Sequence, residues 1–224
     1  MTATGSKGAR QERSPVSVEN VARLFNPRSI ALVGATDRSG WSKDTFNNLA
    51  PDRFDGEVHL VNPRGGLVHG KPALTSVAEL PDGVDLAYIM VGSGAVVEVV
   101  KQVADRGIRS AVILTSGFSE IGEEGVLREQ AVLDIAREHA MTILGPNGNG
   151  FVNVTGRVCP FGLTIARQPM PGSIGLVLQS GGLASLVLNL AAARNVGLRL
   201  MVSMGNEMTT SLTDVVRYLV DDRD

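Results

Sequence analysis

The stretch SIALVGATDRSG, residues 29–40, decides the fold of this chain. Ser29 to Val33 is an apolar run typical of a buried β-strand, and the small polar residues Gly34 to Gly40 follow it directly. A helix is predicted next, from Trp41 to Leu49. A glycine-containing turn between a strand and a helix is typical of α/β sheets that hold phosphate at the amino end of the helix.

The second predicted strand, Glu57 to Val61, indicates which kind of ligand this turn suits. It ends in Asn62-Pro63-Arg64, where a site of the NAD type has an acidic residue for the ribose hydroxyls. Arg64 is a base instead, and a guanidinium favours a ribose that carries phosphate.

Composition narrows the class of protein. The chain has 224 residues, 43% of them hydrophobic and 4% aromatic, which is enough for one α/β domain and part of a second. A net charge of −2 gives no electrostatic reason to expect nucleic acid, and no apolar run approaches the ~20 residues that span a bilayer. Residues 1–16 lack the apolar core of a signal peptide, so we expect a disordered tail and a cytoplasmic protein. The single cysteine, Cys159, excludes an internal disulfide and is expected to be unreactive.

Strands and helices alternate through residues 17–154, which predicts a doubly wound parallel sheet, a Rossmann-like α/β domain. Ser17 and Ser93 are predicted to cap the first and third helices. The predicted strands are Ser29–Val33, Glu57–Val61, Asp85–Val91, Ser110–Leu114 and Met141–Leu144, and the helices are Val18–Leu24, Trp41–Leu49, Ser93–Asp105 and Glu123–His139.

Residues 155–172 are rich in Gly and Pro and indicate a linker or an excursion. Residues 173–224 then predict a partial flavodoxin-like α/β domain: strands Ile174–Leu178 and Leu198–Val202, helices Gly182–Arg194 and Ser211–Asp221. Two strands and two helices are too few to close a hydrophobic core. We therefore expect a truncated domain with an uncovered sheet edge, which a homo-oligomer could cover.

Ligands of doubly wound sheets bind where the strands end, so the loops there are the candidate site. The Gly34 turn offers backbone amides and the side chains of Thr36, Arg38 and Ser39 as donors. The loops at Val91-Gly92 and Thr115-Ser116 permit a close approach, and Ser180-Gly181-Gly182 begins a helix that can hold an anion. Each of these turns can also serve the chain geometry alone.

Several short sequence motifs occur here in the order in which they occur in one known family, which this chain therefore resembles. They are NPRSIALVGAT, VNPRGG, ILTSGFSEIGEEG, LGPNGNGFVN, LVLQSGGLA and VSMGNE. Together they are similar to the CoA-binding module of the NDP-forming acyl-CoA synthetases, which include ADP-forming acetyl-CoA synthetase and the succinyl-CoA synthetase α subunit. The resemblance implies coenzyme A and a small carboxylic acid as ligands. ATP and ADP would bind only through a nucleotide-grasp domain or subunit that this sequence does not contain.

The resemblance also assigns residues. It implies a CoA site made of Gly34, Ala35, Thr36, Asp37, Arg38, Ser39, Gly40, Arg64, Val91, Gly92, Leu114, Thr115 and Ser116. Asn147 and Gly148 are expected near the CoA thiol, with Gly148 standing where relatives usually have Cys. Ser180, Gly181 and Gly182 are expected to cap a phosphoryl group.

The family's phosphohistidine segment has no counterpart in this sequence, and His59, His69 and His139 are predicted to be structural. We therefore expect no catalytic residue and no metal ligand in this chain, which by itself should be inactive.

Two other functions stay open at this stage. A non-catalytic CoA or acyl-CoA sensing module of a protein acetyltransferase would use the same first domain. An NAD(P)-dependent oxidoreductase is disfavoured, because Gly34 and Gly40 are not spaced as G-x-G-x-x-G and no acid ends the second strand.

Overall fold

A computed structural model describes residues 15–221, so the predicted tail, residues 1–16, lies outside the described residues except for Pro15 and Val16. The strands are β1 (Ser29–Val33), β2 (Glu57–Val61), β3 (Leu67–Val68), β4 (Lys71–Pro72), β5 (Leu86–Ile89), β6 (Ser110–Ile113), β7 (Thr142–Leu144), β8 (Gly150–Asn153), β9 (Pro171–Leu178) and β10 (Leu198–Ser203). The α-helices are α1 (Val18–Phe25), α2 (Gly40–Asn48), α3 (Val96–Asp105), α4 (Glu123–Glu138), α5 (Gly181–Ala193) and α6 (Leu212–Asp221).

The first sheet has five parallel strands in the order β2-β1-β5-β6-β7, which confirms the predicted doubly wound α/β fold. Alternate residues of β1 explain its apolar sequence. Ile30 and Leu32 point into one core with α1, while Ala31 and Val33 point into a second core with α3. A strand that is buried on both faces favours apolar side chains on both, which is why the residues from Ile30 to Val33 are continuously apolar.

Helix starts are only partly as predicted. Ser17 caps α1, and its hydroxyl accepts a hydrogen bond from the amide of Asn20. The prediction for Ser93 is wrong, since Ser93–Ala95 forms a 3₁₀ turn, α3 begins at Val96, and neither start has a side-chain cap. Ser93 lies inside the turn instead of before it, so its hydroxyl is not placed to receive the first helical amides.

The second sheet has the order β8-β10-β9, with β9 parallel and β8 antiparallel to β10. β8 therefore belongs to the second sheet, although the predicted boundary at residue 154 assigns it to the first domain. Residues 154–170 are packed, with Cys159, Phe161 and Ile165 buried. The side-chain amide of Asn48 on α2 donates to the Phe161 carbonyl at 2.8 Å, which attaches this segment to the first domain.

The connection from β10 to α6 runs along the outer edge of β7. The amides of Asn206 and Met208 donate to the carbonyls of Pro146 and Gly145 at 2.8 and 2.9 Å, and the Thr210 amide donates to Ile143. These bonds attach the β10–α6 connection to Ile143 of β7 and to the turn after it, so the connection covers this edge of the first sheet.

By contrast, within residues 15–221 no strand pairs with the second edge of β9. Large apolar side chains are also exposed on the helix that follows β9: Leu183, Leu186 and Leu190 of α5 are 48%, 65% and 55% exposed. An uncovered sheet edge in this domain is what the sequence predicts.

Candidate functional site

The loops that follow the parallel strands form one continuous edge. The amides of Gly34 and Ala35 donate to the Val61 carbonyl at 2.9 and 3.1 Å, which joins the loops after β1 and β2. The Thr115 hydroxyl donates to the Val91 carbonyl at 2.6 Å, and the Asn147 amide donates to the Thr115 carbonyl at 3.0 Å. The structure thus brings together every loop of the first domain that the sequence proposes for ligand binding.

Gly34 is required by the contact between the loops after β1 and β5. Its φ of +88° lies in the left-handed region, and a Cβ there would lie 2.9 Å from the Cγ1 atom of Val91. Any other residue would separate these loops or strain the turn.

The turn's backbone amides are less available to a ligand than its sequence indicates. Those of Gly34 and Ala35 are bonded to Val61, and the Thr36 amide donates to the Ser42 hydroxyl at 2.9 Å. The first turn of α2 remains, where the leading amides of a helix have no intrahelical partner. Ser39 caps this helix, and an anion at this end would meet the positive end of its dipole.

Arg64 is exposed in the turn after β2, and Asn62 fixes this turn against the Gly34 turn. The Asn62 side chain donates to the Ala35 carbonyl at 2.8 Å and accepts from the Arg64 amide at 2.9 Å. The guanidinium therefore extends from a backbone position tied to the β1 loop, which is what a basic contact to a phosphate on the same ligand requires.

Asp37, which the sequence predicts to contact CoA, meets two residues that the sequence does not predict at the site, His69 and Ser42. The Asp37 carboxylate accepts a hydrogen bond from the main-chain amide of His69 at 2.9 Å and lies 3.0 Å from the Nδ1 atom of the same residue. The Nε2 atom of His69 lies 2.8 Å from the Ser42 hydroxyl oxygen. The imidazole is 5% exposed and stacks on Phe46 with ring centroids 5.0 Å apart. Burial lowers the pKa of His69, against the raising effect of Asp37.

The loop between β7 and β8 joins the first domain to the amino end of α5. Asn147 is exposed, whereas Gly148 is buried, and a Cβ on Gly148 would lie 2.7 Å from the Ser203 carbonyl oxygen. The Asn149 amide donates to the Ser203 hydroxyl at 3.1 Å. A Cβ on Gly181 would collide with the Asn149 side chain, so the two loops lie against each other.

The Asn147–Gly148 pair and the Ser180–Gly182 turn therefore form one region. Ser180 caps α5, and its hydroxyl accepts from the Leu183 amide at 3.3 Å. The sequence singled out the glycines but not Asn149. Its position between Gly148 and Gly150 was the available signal.

Glu120 and Asn206 make a second link between the domains. The carboxylate of Glu120 accepts from the Gly117 amide at 2.6 Å and from the Asn206 side chain at 2.7 Å. Burial opposes ionisation of Glu120, but these hydrogen bonds outweigh it and lower the pKa of this carboxyl group. The loop after β6 is thereby held against the loop after β10.

Residues 15–221 contain no group of three or more His, Cys, Asp or Glu side chains placed to hold a metal ion. In the same residues no helix combines the length and the apolar character needed to cross a membrane. Burial raises the pKa of the Cys159 thiol to about 12, which disfavours the nucleophilic thiolate.

Comparison with known proteins identifies the family. Residues 28–153 match the CoA binding domain family and residues 171–224 match the succinyl-CoA ligase like flavodoxin domain. The first match covers more than half of the chain, so this protein belongs to the CoA-binding domain family.

Individual relatives agree with this assignment. A trans-feruloyl-CoA synthase from an unknown prokaryotic organism is 38% identical over 93% of this chain and 30% of its own length. The α subunit of an ADP-forming acetate–CoA ligase I from Pyrococcus furiosus is 34% identical over 89% of this chain and 44% of its own length.

One similar solved structure is the dinucleotide-forming acetyl-coenzyme A synthetase 1 of Ca. Korarchaeum cryptofilum, in complex with phosphate and ADP. It superposes with a TM-score of 0.81 at 31% identity, over 91% of this chain and 43% of that one. This chain therefore spans less than half the length of each of these relatives. Coenzyme A is the cofactor that the family and the relatives share.

Proposed function

We propose that this chain is the CoA-binding part of an ADP-forming acyl-CoA synthetase, which converts a carboxylic acid, CoA and ATP into acyl-CoA, ADP and phosphate. The observation that carries the proposal is the continuous edge of loops after β1, β2, β5, β6 and β7, which reaches the amino end of α5 through Asn149 and Gly181. An extended ligand with phosphates at one end and a reactive thiol at the other fits such an edge.

In this proposal the phosphate-bearing end of CoA lies at the start of α2. Arg38 and Arg64 are exposed beside it and supply positive charge, while Ser39 keeps a hydroxyl hydrogen to donate. The rest of the ligand follows the loops that contain Val91, Gly92 and Leu114 to Ser116. Its thiol end then reaches Asn147 and Gly148.

The amino end of α5 is proposed to hold the phosphoryl group of an acyl phosphate. Ser180 to Gly182 are partly or fully exposed there, and the helix dipole favours an anion. The CoA sulfur would attack the acyl carbon, the bond from that carbon to the phosphate oxygen would break, and inorganic phosphate would leave. The close approach of Asn149 to Gly181 supports this placement, because it holds the two loops against each other.

Other parts of such an enzyme would supply the remaining steps. We propose that a nucleotide-grasp domain or subunit binds ATP and that a phosphorylated histidine outside this sequence carries the phosphoryl group. The chain by itself would then bind CoA without turnover. We further propose that it works in the cytoplasm and assembles with a partner over the apolar face of α5.

Binding is tested with the single tryptophan of the chain. Trp41 lies in the first turn of α2 and is 56% exposed, so its fluorescence should change when CoA binds. We expect the fluorescence change to saturate with CoA and NAD to leave the fluorescence unchanged. In a separate unfolding measurement, a CoA concentration one hundred times its Kd should raise the free energy of unfolding by about 2.7 kcal/mol. Equal responses to NAD and CoA would contradict the proposal.

Arg64→Ala tests the phosphate contact. The variant should weaken CoA more than dephospho-CoA, because an exposed guanidinium that meets the ribose phosphate has no partner in the shorter ligand. Arg23→Ala is the matched control, since Arg23 is an exposed arginine on α1 paired with Glu19. Equal losses for both ligands would remove this role from Arg64.

Turnover is tested with labelled ATP, acetate and CoA. We expect no acid-labile phosphohistidine and no ADP above background from the chain alone. Phosphorylation at His59, His69 or His139 that disappears when that residue is substituted would show that the chain is catalytic by itself.

A further inference from the structure

The hairpin of β3 and β4 carries a histidine in an unusual backbone conformation. His69 and Gly70 form its two-residue turn with φ of 50° and 74°, and Val68 pairs with Lys71 across it. Positive φ at both central residues defines a type I′ turn, in which Asn and Gly are the common choices. His69 occupies this position with its side chain 5% exposed and directed toward the Gly34–Gly40 turn.

The hydrogen bonds around this imidazole determine its tautomer. Asp37 can only accept when ionised, so the Nδ1 atom at 3.0 Å donates to it. The Nε2 atom of the neutral ring then accepts from the Ser42 hydroxyl at 2.8 Å, and the Ser42 oxygen accepts from the Thr36 amide at 2.9 Å. Each N–H or O–H group in this chain of hydrogen bonds has an acceptor. The chain contacts the Gly34–Gly40 turn at two places, the Asp37 carboxylate and the Thr36 amide.

Charged groups surround the ring, beginning with the acidic residue of a turn that is proposed to meet phosphate. The Asp37 carboxylate keeps its negative charge and is 62% exposed, but its Oδ1 atom is held on the hairpin by the main-chain amide and the Nδ1 atom of His69. The positive charge of Lys43 on α2 lowers the pKa of the imidazole further. Lys71 of β4 lies 5.4 Å from the ring centroid of Phe46, on which the imidazole stacks.

We propose that His69 is a positioning residue for coenzyme A. It holds Asp37 away from the ligand, and through Ser42 it holds the Thr36 amide. The Gly34–Gly40 turn and the start of α2 thereby keep the conformation that accepts phosphate. This inference rests on the proposed function, because it concerns the same site. His69 does not touch the ligand in this proposal. It acts through the two residues that it joins.

The test compares His69→Asn and Ser42→Ala with the full wild-type chain by Trp41 fluorescence. Asn suits a type I′ turn, so the hairpin should survive while the ring and its bond to Ser42 are lost. We expect each variant to weaken CoA about tenfold, the size of one hydrogen bond. The double variant should weaken CoA by less than the product of the two single losses, since both single variants remove the bond between Ser42 and His69. His139→Asn, at the end of α4, is the matched control and should bind as the wild type does.

A spectroscopic measurement tests the inference without ligand. ¹⁵N-histidine NMR should show His69 as the neutral Nδ1–H tautomer, with a new Nε2 shift in Ser42→Ala. The Nε2–H tautomer, or wild-type CoA affinity in a folded His69→Asn variant, would overturn the inference. If His69→Asn does not fold, Ser42→Ala decides, because it leaves the hairpin unchanged. Lack of CoA binding by the wild type would instead contradict the proposed function, and the tautomer would still test the hydrogen-bond chain.

Discussion

Gly148 offers the sharpest test of how the two domains are joined. A Cβ at this position would lie 2.7 Å from the Ser203 carbonyl oxygen at the end of β10 and 3.2 Å from the Gly205 nitrogen in the connection that follows it, and both are backbone atoms. These atoms do not yield by rotation of a side chain. Gly148→Ala must therefore push the two loops apart, and Gly148→Cys must do so further.

The expected cost follows from the two opposing effects of the substitution. Overpacking against a fixed neighbour destabilises by about 1–3 kcal/mol. Removal of a glycine also restricts the unfolded chain, which restores roughly 0.4–1 kcal/mol. A net loss of about 1–2 kcal/mol lowers the Tm of a chain of this size by roughly 2–8 °C, so differential scanning calorimetry resolves it.

Gly182→Ala is the matched control for this measurement. The nearest atom to a Cβ on Gly182 is the Ser180 hydroxyl oxygen at 3.9 Å, and the residue lies in the first turn of α5. Its Tm should stay the same or rise slightly. A Gly148→Ala variant that melts at or above the wild-type temperature would refute the steric reasoning.

Three further outcomes are expected. Glu120→Gln should speed hydrogen exchange at Gly117 and near Asn206, and unchanged exchange would show that this link does not hold the two loops together. In the wild type the folded pKa of Glu120 is depressed, so the stabilisation should be present above the ordinary carboxyl pKa and disappear as the pH falls through the lower folded value. Cys159, 2% exposed, should resist alkylation in the native chain and react on unfolding, so rapid native labelling would disprove its burial. Leu186→Lys should reduce concentration-dependent self-association measured by sedimentation, since Leu186 is 65% exposed on an apolar helix face, and equal association of both proteins would place the contact elsewhere.

Much of the first domain could be predicted from the sequence because its signals are local. The apolar run of β1 ends at a glycine, and the predicted bounds of β1 and β2 match the structure. The ends of the other strands differ by a residue or two, since β5 begins at Leu86 and stops at Ile89. Buried parallel strands have a strong apolar pattern, whereas their ends depend on loop hydrogen bonds.

The candidate site divides in the same way. Glycine-containing turns at strand ends are visible in the sequence, and so is the order of motifs that led to coenzyme A. Their mutual contacts are not, because Thr115 with Val91 or Asn149 with Gly181 are neighbours only after the sheet has assembled.

Tertiary structure alone decided three features. β8 joined the second sheet, since its partner β10 lies nearly fifty residues further along the chain. The connection from β10 to α6 covered the edge of β7. His69 reached Asp37 and Ser42 across a long sequence separation. Local patterns specify which segments are strands and turns, but pairing between distant segments depends on the free energy of the assembled chain, which no single stretch of sequence contains.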